Sequence, residues 1–281
     1  MRFAKLHGAG NDYIYINGFE TQVPDPSALA VRMSDRHFGV GADGLILVLP
    51  PEGEGQVRMR IFNADGSEAE MCGNGVRCLA KFAVDRGLVE GDRVRVETRA
   101  GLREVVLERE GGRVVRGTVG MGRPVLEPAA IPVLAEGDRA VDVPLEVAGR
   151  TLRMTCVGMG NPHAVFYVEA VEAWPLETLG PAIERHERFP QRVNVHAVEV
   201  VSPQEVRVRT WERGSGPTLA CGTGAAAVCV AGVLTGRTAR RLLVHVPGGD
   251  LELEWPDPEA EVRLTGPVEE VFTGEWPDAA G

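Results

Sequence analysis

Lysine is almost absent from this chain of 281 residues. Lys5 and Lys81 are the only two, and nearly every other cation is arginine. A pyridoxal-phosphate enzyme needs a Schiff-base lysine. Lys5 falls near the start of an expected edge strand, Lys81 falls inside an expected helix, and neither has a phosphate-binding context around it, which argues against that cofactor. No uninterrupted apolar run approaches the roughly 20 residues a bilayer span requires, and no apolar signal core follows the first ten residues. Positive charge is in deficit: the net charge of −10 leaves no basic face for a phosphate backbone. The five cysteines form no C-x-x-C pair, and the six histidines show no H-E-x-x-H pattern and no clustering with cysteine. A disulfide framework and a structural metal are therefore not expected. Asparagine is scarce as well, at six residues. Low asparagine suits a heat-adapted chain, while genomic base composition explains the arginine excess equally well. Each remaining asparagine is the more conspicuous for its rarity.

What the chain does contain is itself, twice. Val57-Arg58-Met59-Arg60-Ile61-Phe62 returns as Val206-Arg207-Val208-Arg209-Thr210-Trp211, and Cys72-Gly73-Asn74-Gly75 returns as Cys221-Gly222-Thr223-Gly224, both 149 positions on. Arg36-His37 answers Arg185-His186 at the same offset, and Gly8 to Asp12 answers Gly158 to Pro162 at an offset larger by one. A repeat of this length is a duplicated domain rather than a solenoid unit. The alternating runs Val57–Phe62, Val94–Thr98, Val206–Trp211 and Leu243–Val246 read as half-buried strands. The apolar stretches Val76–Val84 and Ala225–Leu234 lack that alternation and read as buried helices, with Gly87 and Gly236 as stops. The expected fold class is α+β: two pseudo-symmetric domains from an internal duplication, each a curved, mostly antiparallel sheet around a central helix. The expected division is 1–122 and 123–281, with the Pro-bearing stretch from Arg123 to Pro144 as the bridge and the last residues free to pack back on the first half. Gly39 to Gly44 matches G-x-G-x-x-G, but the apolar run Leu45–Leu49 after it reads as a strand where a dinucleotide site needs a helix. A Rossmann site is rejected on that context.

The duplication gives the cysteines their meaning. Cys72 and Cys221 each precede an equivalent helix, whose first N–H groups are unsatisfied and carry partial positive charge. Such a terminus can hold a carboxylate and favours thiolate over thiol beside it. Inversion of a carbon stereocentre needs a base on one face and an acid on the other, a task matched thiols on two related domains suit. Amides holding the substrate carboxylate would stabilise charge at the α-carbon, as an oxyanion hole does. Cys78, Cys156 and Cys229 fall in apolar helices or a strand-like run and read as small buried thiols.

With those motifs in view, the chain resembles the diaminopimelate epimerase family over nearly its whole length. Gly8 to Tyr13 is similar to the family's N-terminal element, and Phe62 to Ser67 with Met71 to Cys78 is similar to its first cysteine region. Gly160-Asn161-Pro162-His163 and Val193-Asn194-Val195 resemble its central motifs. Trp211 to Gly214 with Ala220 to Gly224 resembles its second cysteine region. The resemblance implies a cofactor-independent isomerase interconverting LL- and meso-diaminopimelate for lysine and peptidoglycan biosynthesis. It makes Cys72 and Cys221 the acid/base pair and gives His163 and Glu212 the role of tuning the thiols. Asn11, Asn63, Asn161, Asn194, Glu212 and Arg213 become substrate contacts, and the amides around Gly73-Asn74 and Gly222-Thr223 carboxylate holders. One departure stands out: many members carry Gln where this chain has Gly44. The partners implied are a small amino-acid substrate and, as a candidate assembly, a homodimer, with no nucleic acid, membrane, metal or cofactor, in the cytoplasm. Two other readings stay open on the residues alone: another two-cysteine racemase, such as a proline racemase-like enzyme, and a thiol-binding or redox protein that does not epimerise.

Overall fold

A computed structural model describes residues 1–277 and divides them between two compact units, one of residues 1–120 with the chain from Thr265 onward, the other Met121–Leu264. The first unit contains β1 (Arg2–Gly8), β2 (Asn11–Asn17), α1 (Pro26–Ser34), β3 (Gly44–Leu49), β4 (Val57–Asn63), β5 (Glu68–Ala69), α2 (Gly73–Asp85), β6 (Arg93–Thr98), β7 (Gly101–Glu110) and β8 (Arg113–Gly120). The second contains β9 (Val143–Val147), β10 (Arg150–Gly158), β11 (Pro162–Tyr167), α3 (Leu176–Glu184), β12 (Asn194–Ser202), β13 (Glu205–Glu212), β14 (Gly216–Thr218), α4 (Gly222–Leu234), β15 (Arg241–Val246) and β16 (Gly249–Glu254). Strand β17 (Arg263–Pro267) carries the chain back, and β18 (Glu269–Glu275) joins the first unit.

The pairing is the same in both. β1 lies antiparallel to β2, β2 parallel to β3, β3 antiparallel to β4, and β4 parallel to β6, which meets β7 antiparallel. In the second unit β10, β11, β12, β13, β15 and β16 repeat that order and those directions. Each parallel pair needs a crossover, and each gets one helix: α1 and α3 serve the first such pair, α2 and α4 the second. The central helix of each unit touches strand after strand of its own sheet. Helix α2 meets β1, β2, β3, β4, β6, β7 and β8, and α4 meets β10, β11, β12, β15 and β16. This is the α+β duplication expected, a mostly antiparallel sheet curved around a helix.

Two expectations about strands and linkers gain detail. Lys5 is not on an edge, because β18 returns to pair with β1 on the side that β2 leaves open. The lysine is consequently buried, and it is satisfied by Asp12 at 2.6 Å and by the carbonyl of Gly41. The stretch from Arg123 to Pro144 lies in the second unit, where Ile131, Val133 and Ala140 join a core with Phe166, Leu179 and Val195. At about 1.5–3 kcal/mol for each large apolar side chain buried, that contribution binds the stretch to the second unit's interior.

Candidate active site

Each central helix begins at a cysteine. Cys72 (φ −134°, ψ 122°) and Cys221 (φ −120°, ψ 105°) are the N-caps of α2 and α4, in the extended conformation that cap residues adopt. In each case the sulfur accepts the N–H of the residue three on, Gly75 or Gly224, at 3.4 Å. Serine, threonine, aspartate or asparagine usually holds this position. Here the acceptor is sulfur, and an ionised sulfur accepts better than a neutral one, so the helix start and the thiolate favour one another. The helix ends match too. Gly87 and Gly236 have φ +67° and +68°, and Leu88 and Arg237 each donate an N–H five residues back, to Ala83 and Gly232. These are left-handed caps that a side chain would strain.

In the first unit, a two-residue turn at Ala9 (φ 52°) and Gly10 (φ 80°) closes the β1–β2 hairpin and sets Asn11 at the head of β2. The Asn11 amide is held at both ends. Nδ2 donates to Asp43 at 2.7 Å, while Oδ1 accepts from the Cys72 thiol and from Asn74 Nδ2, each at 3.3 Å. Asp43 also accepts the Asp12 N–H and an Arg36 N–H. Burial, and then the charge of Asp12, push the Asp43 carboxyl above its ordinary range. Burial pushes Asp12 up as well, but its bonds to Arg36 and Lys5 outweigh that and leave it below its ordinary range. Burial also pushes the Cys72 thiol up. The N–H groups of Gly75 and Asn74, the Tyr13 hydroxyl and the charge of Arg77 act in the opposite direction without reversing it. At Cys72 the pull of the positive helix start is thus opposed by desolvation.

The second unit places different groups around its thiol. Cys221 Sγ lies 3.6 Å from Thr223 Oγ1. Behind it runs a buried chain of hydrogen bonds: Asn161 Oδ1 to His163 Nε2 at 2.7 Å, His163 Nδ1 to His196 Nε2 at 2.9 Å, and His196 Nδ1 to Thr210 Oγ1 at 2.9 Å. One assignment of protons satisfies the series, with Thr210, His196 and His163 each donating to the next and Asn161 accepting last. Burial holds both rings neutral. His163 is pushed well below the ordinary range and His196 down to about 3. The His196 ring packs under the first turn of α4, so close that a Cβ at Gly224 would lie 2.2 Å from its Cε1.

The structure sorts the expected residues as follows. Asn11, Cys72, Gly73 and Asn74 form one bonded group in the first unit. Asn63 ends β4 opposite Gly44 and bonds Ser67 at 2.9 Å. In the second unit Asn161 and His163 are joined, and Asn194 lies beside His163 in the β11–β12 register. The Asn194 amide donates to Pro162 O at 3.0 Å and accepts from Arg213 N at 2.8 Å, which ties it to the loop that carries Arg213. Glu212 accepts from Thr218 Oγ1 at 2.6 Å, and the exposed Arg213 donates to Gln191 O at 2.9 Å. Both ring nitrogens of His163 are occupied within its chain, Nδ1 by His196 and Nε2 by Asn161. At Gly44 a Cβ would meet Phe62 O at 2.1 Å and the Tyr13 ring at 2.9 Å, so this backbone leaves no room for a longer residue.

Sequence reading missed Asp43, Arg77, Glu184, His196 and Thr210. Glu184 is buried and accepts from Trp211 Nε1 at 2.8 Å and Gly214 N at 3.1 Å, gripping both sides of Glu212-Arg213. A signal for His196 and Thr210 was present: polar residues at inward positions of strands whose counterparts, Ile46 and Ile61, are apolar.

The duplicated α+β unit has counterparts among solved structures. A solved hydroxyproline epimerase from Agrobacterium vitis, with trans-4-hydroxy-L-proline bound, superposes with a TM-score of 0.69 at 17% identity, covering 98% of this chain and 91% of that one. The family model for diaminopimelate epimerase matches residues 3–127 and 155–271. The diaminopimelate epimerases of Moorella thermoacetica and Pelotomaculum thermopropionicum are each 52% identical over 99% of both chains. The chain belongs to the diaminopimelate epimerase family.

Proposed function

We propose that this chain is an isomerase interconverting LL- and meso-diaminopimelate, supplying lysine and peptidoglycan synthesis, with Cys72 and Cys221 as the acid/base pair. The observation that carries the mechanism is the identical capping of α2 and α4 by a cysteine sulfur. In one direction the Cys72 thiolate takes the α-proton and the Cys221 thiol delivers one to the other face; in the reverse direction the roles exchange. The first amides of each helix, at Gly73-Asn74 and Gly222-Thr223, hold the carboxylate of the reacting centre and stabilise the charge that develops beside it. No cofactor is required for this proton exchange, because the carboxylate and the amides carry the charge.

Diaminopimelate has a second amino-acid head, which must be gripped while the first reacts. Arg213 offers a planar fork for its carboxylate, and Glu212 an anion for its ammonium. Asn11, Asn63, Asn161 and Asn194 add amide contacts to the substrate. Work in the cytoplasm as a homodimer fits the reading, and no helix among the described residues is long and apolar enough to cross a membrane.

The test is α-proton exchange in deuterated water with reduced protein and no added cofactor. LL-diaminopimelate is expected to lose its α-proton and yield the meso form, with proline inert under the same conditions. Exchange of proline but not of diaminopimelate would reassign the substrate.

A further inference from the structure

The first helix carries a buried cation that the second helix lacks. Arg77 is fully buried one turn into α2, and the residue at the matching place in α4 is Ala226. Long helical side chains lean back toward the N-terminus, and this one does. Nη1 donates to the carbonyl of Gly73 at 3.1 Å and Nη2 to Asn74 Oδ1 at 3.0 Å. Gly73 is the neighbour of Cys72, and Asn74 bonds the same Asn11 oxygen that accepts the Cys72 thiol. The charge is thus delivered to the helix start rather than to the surface.

Space is kept for it. A Cβ at Gly8 of β1 would sit 3.2 Å from Arg77 Nη2, and one at Gly117 of β8 would sit 3.3 Å from Arg77 Cβ. At Gly158, which answers Gly8 in the second unit, the nearest atoms to a Cβ would belong to Val125 and Ile131, with no arginine among them. The cradle is specific to the first half.

What the cradle does not hold is a counter-ion. Among the described residues no carboxylate lies within ion-pair distance of Arg77, and its Nε has no hydrogen-bond partner. Burial of an unpaired guanidinium is costly, and a nearby thiol that ionises during turnover supplies the missing negative charge.

We propose that Arg77 is a positioning residue whose buried guanidinium stabilises the thiolate of Cys72, making the first thiol of the pair the more readily ionised in the working enzyme. This rests on the two-thiol reading but does not need its substrate. Proton balance is simple: the thiol proton leaves to solvent or substrate, and the pair Arg77⁺/Cys72⁻ replaces an isolated cation. The burial that raises the resting thiol is what makes a local cation worth keeping, because charges attract more strongly where water is excluded.

The test reads thiol ionisation rather than epimerisation, so it can fail while the epimerase reading stands. The pH dependence of iodoacetamide alkylation is followed at Cys72 and Cys221 separately by peptide mass spectrometry. The parent is compared with Arg77→Ala, which copies the second half, and with Arg77→Gln, which keeps a polar side chain and loses the charge. At neutral pH, Cys72 alkylation is expected to fall about tenfold in the neutral variants, an apparent pKa rise of about one unit, with Cys221 unchanged. Arg77→Lys is expected to recover most of the Cys72 rate. An unchanged Cys221 profile shows that the variant is folded, and Arg77→Gln provides the comparison if Arg77→Ala does not fold. A Cys72 rate within about twofold of the parent in either folded neutral variant overturns the proposal, as does equal loss in the lysine variant.

Discussion

The two units share strand order, crossovers and capped helices, yet they put their buried polar groups in different layers. In the first, the cross-strand pair facing the helix is Ile46 opposite Ile61, and a Cβ at Gly75 would lie 2.8 Å from Ile46 Cδ1. In the second, the same pair is His196 opposite Thr210, and the ring packs against Gly224. The first unit's cation, Arg77, sits on the helix itself, where the second has Ala226. Tyr13 and His163 also occupy matching strand positions, each beside its partner strand's Gly44 or Asn194. Duplication therefore preserved the capping cysteines while the groups packed behind each of them diverged. Under the proposed mechanism the two thiols exchange roles, and they do so from different polar surroundings.

The largest effect tests what the two halves share. Cys72→Ala and Cys221→Ala are each expected to lose epimerisation by about 10³-fold or more, within the usual range for a missing acid or base. Deuterium uptake measured from the LL and the meso side should separate them, since each variant removes the base for one direction. Near-normal epimerisation in both variants would falsify the thiol pair. Next comes a feature of the second half alone. Arg213→Lys replaces a two-pronged fork by a point charge and is expected to lower kcat/KM by about 10- to 100-fold, the worth of one charge-assisted hydrogen bond. Full activity at subsaturating substrate would remove Arg213 from the distal carboxylate.

How much of this was legible beforehand depends on periodicity. The helices α2 and α4 and the strands β4 and β13 follow from apolar spacing, and the repeat of Cys-Gly-x-Gly located both thiols. Pairing with β18 was not legible at Lys5, because the partner lies more than 260 residues away and strand alternation does not say which neighbours a strand has. The motif around Asn194 stands out in the sequence and marks it as an expected substrate contact. Its backbone partners, Pro162 O and Arg213 N, depend on loop paths that no local spacing encodes. His196 sits in an apolar alternating run where a lone histidine reads as packing, and only the juxtaposition of β11, β12 and β13 turns it into a link between His163 and Thr210. The desolvation around the half-buried Cys72, which opposes the pull of the helix start, was likewise invisible.

A moderate effect is expected from rewriting the second half in the first half's terms. His196→Ile leaves His163 Nδ1 and Thr210 Oγ1 without partners, a loss of about 1–3 kcal/mol for each buried group left unsatisfied. His196→Ile with Thr210→Ile restores the apolar pair of the first unit and should recover part of that loss. The acid side separates charge from packing. His196 binds its proton near pH 6.5 when unfolded but only at about 3 when folded, so stability is full above about 6.5 and declines as pH falls toward 3. The double variant should show a shallower decline of Tm over that window, with the remainder due to His163, whose pKa is also lowered. An unchanged slope would mean that His196 is not held neutral by burial.

The smallest effect belongs to Asp43, which has no acidic counterpart: Val193 precedes Asn194 as Asp43 precedes Gly44. Its carboxylate accepts Asn11 Nδ2 and thereby turns Asn11 Oδ1 toward the Cys72 thiol. In Asp43→Asn the new amide can donate as well as accept, which frees Asn11 to present its NH₂ to the sulfur and weakens the fixed acceptor there. A fall in kcat/KM of about three- to tenfold is expected, roughly one neutral hydrogen bond, with Cys221 alkylation untouched. Stability should move differently. Because burial and then Asp12 hold the Asp43 carboxyl above its unfolded value, its ionised form opposes folding, and its favourable contribution is present below the unfolded pKa and lost as pH rises. Removal of that charge should leave Tm at neutral pH equal or higher even as activity falls. A parallel drop in Tm and activity would instead make Asp43 a structural anchor for Arg36 and the β2 start, with no separate hold on the thiol.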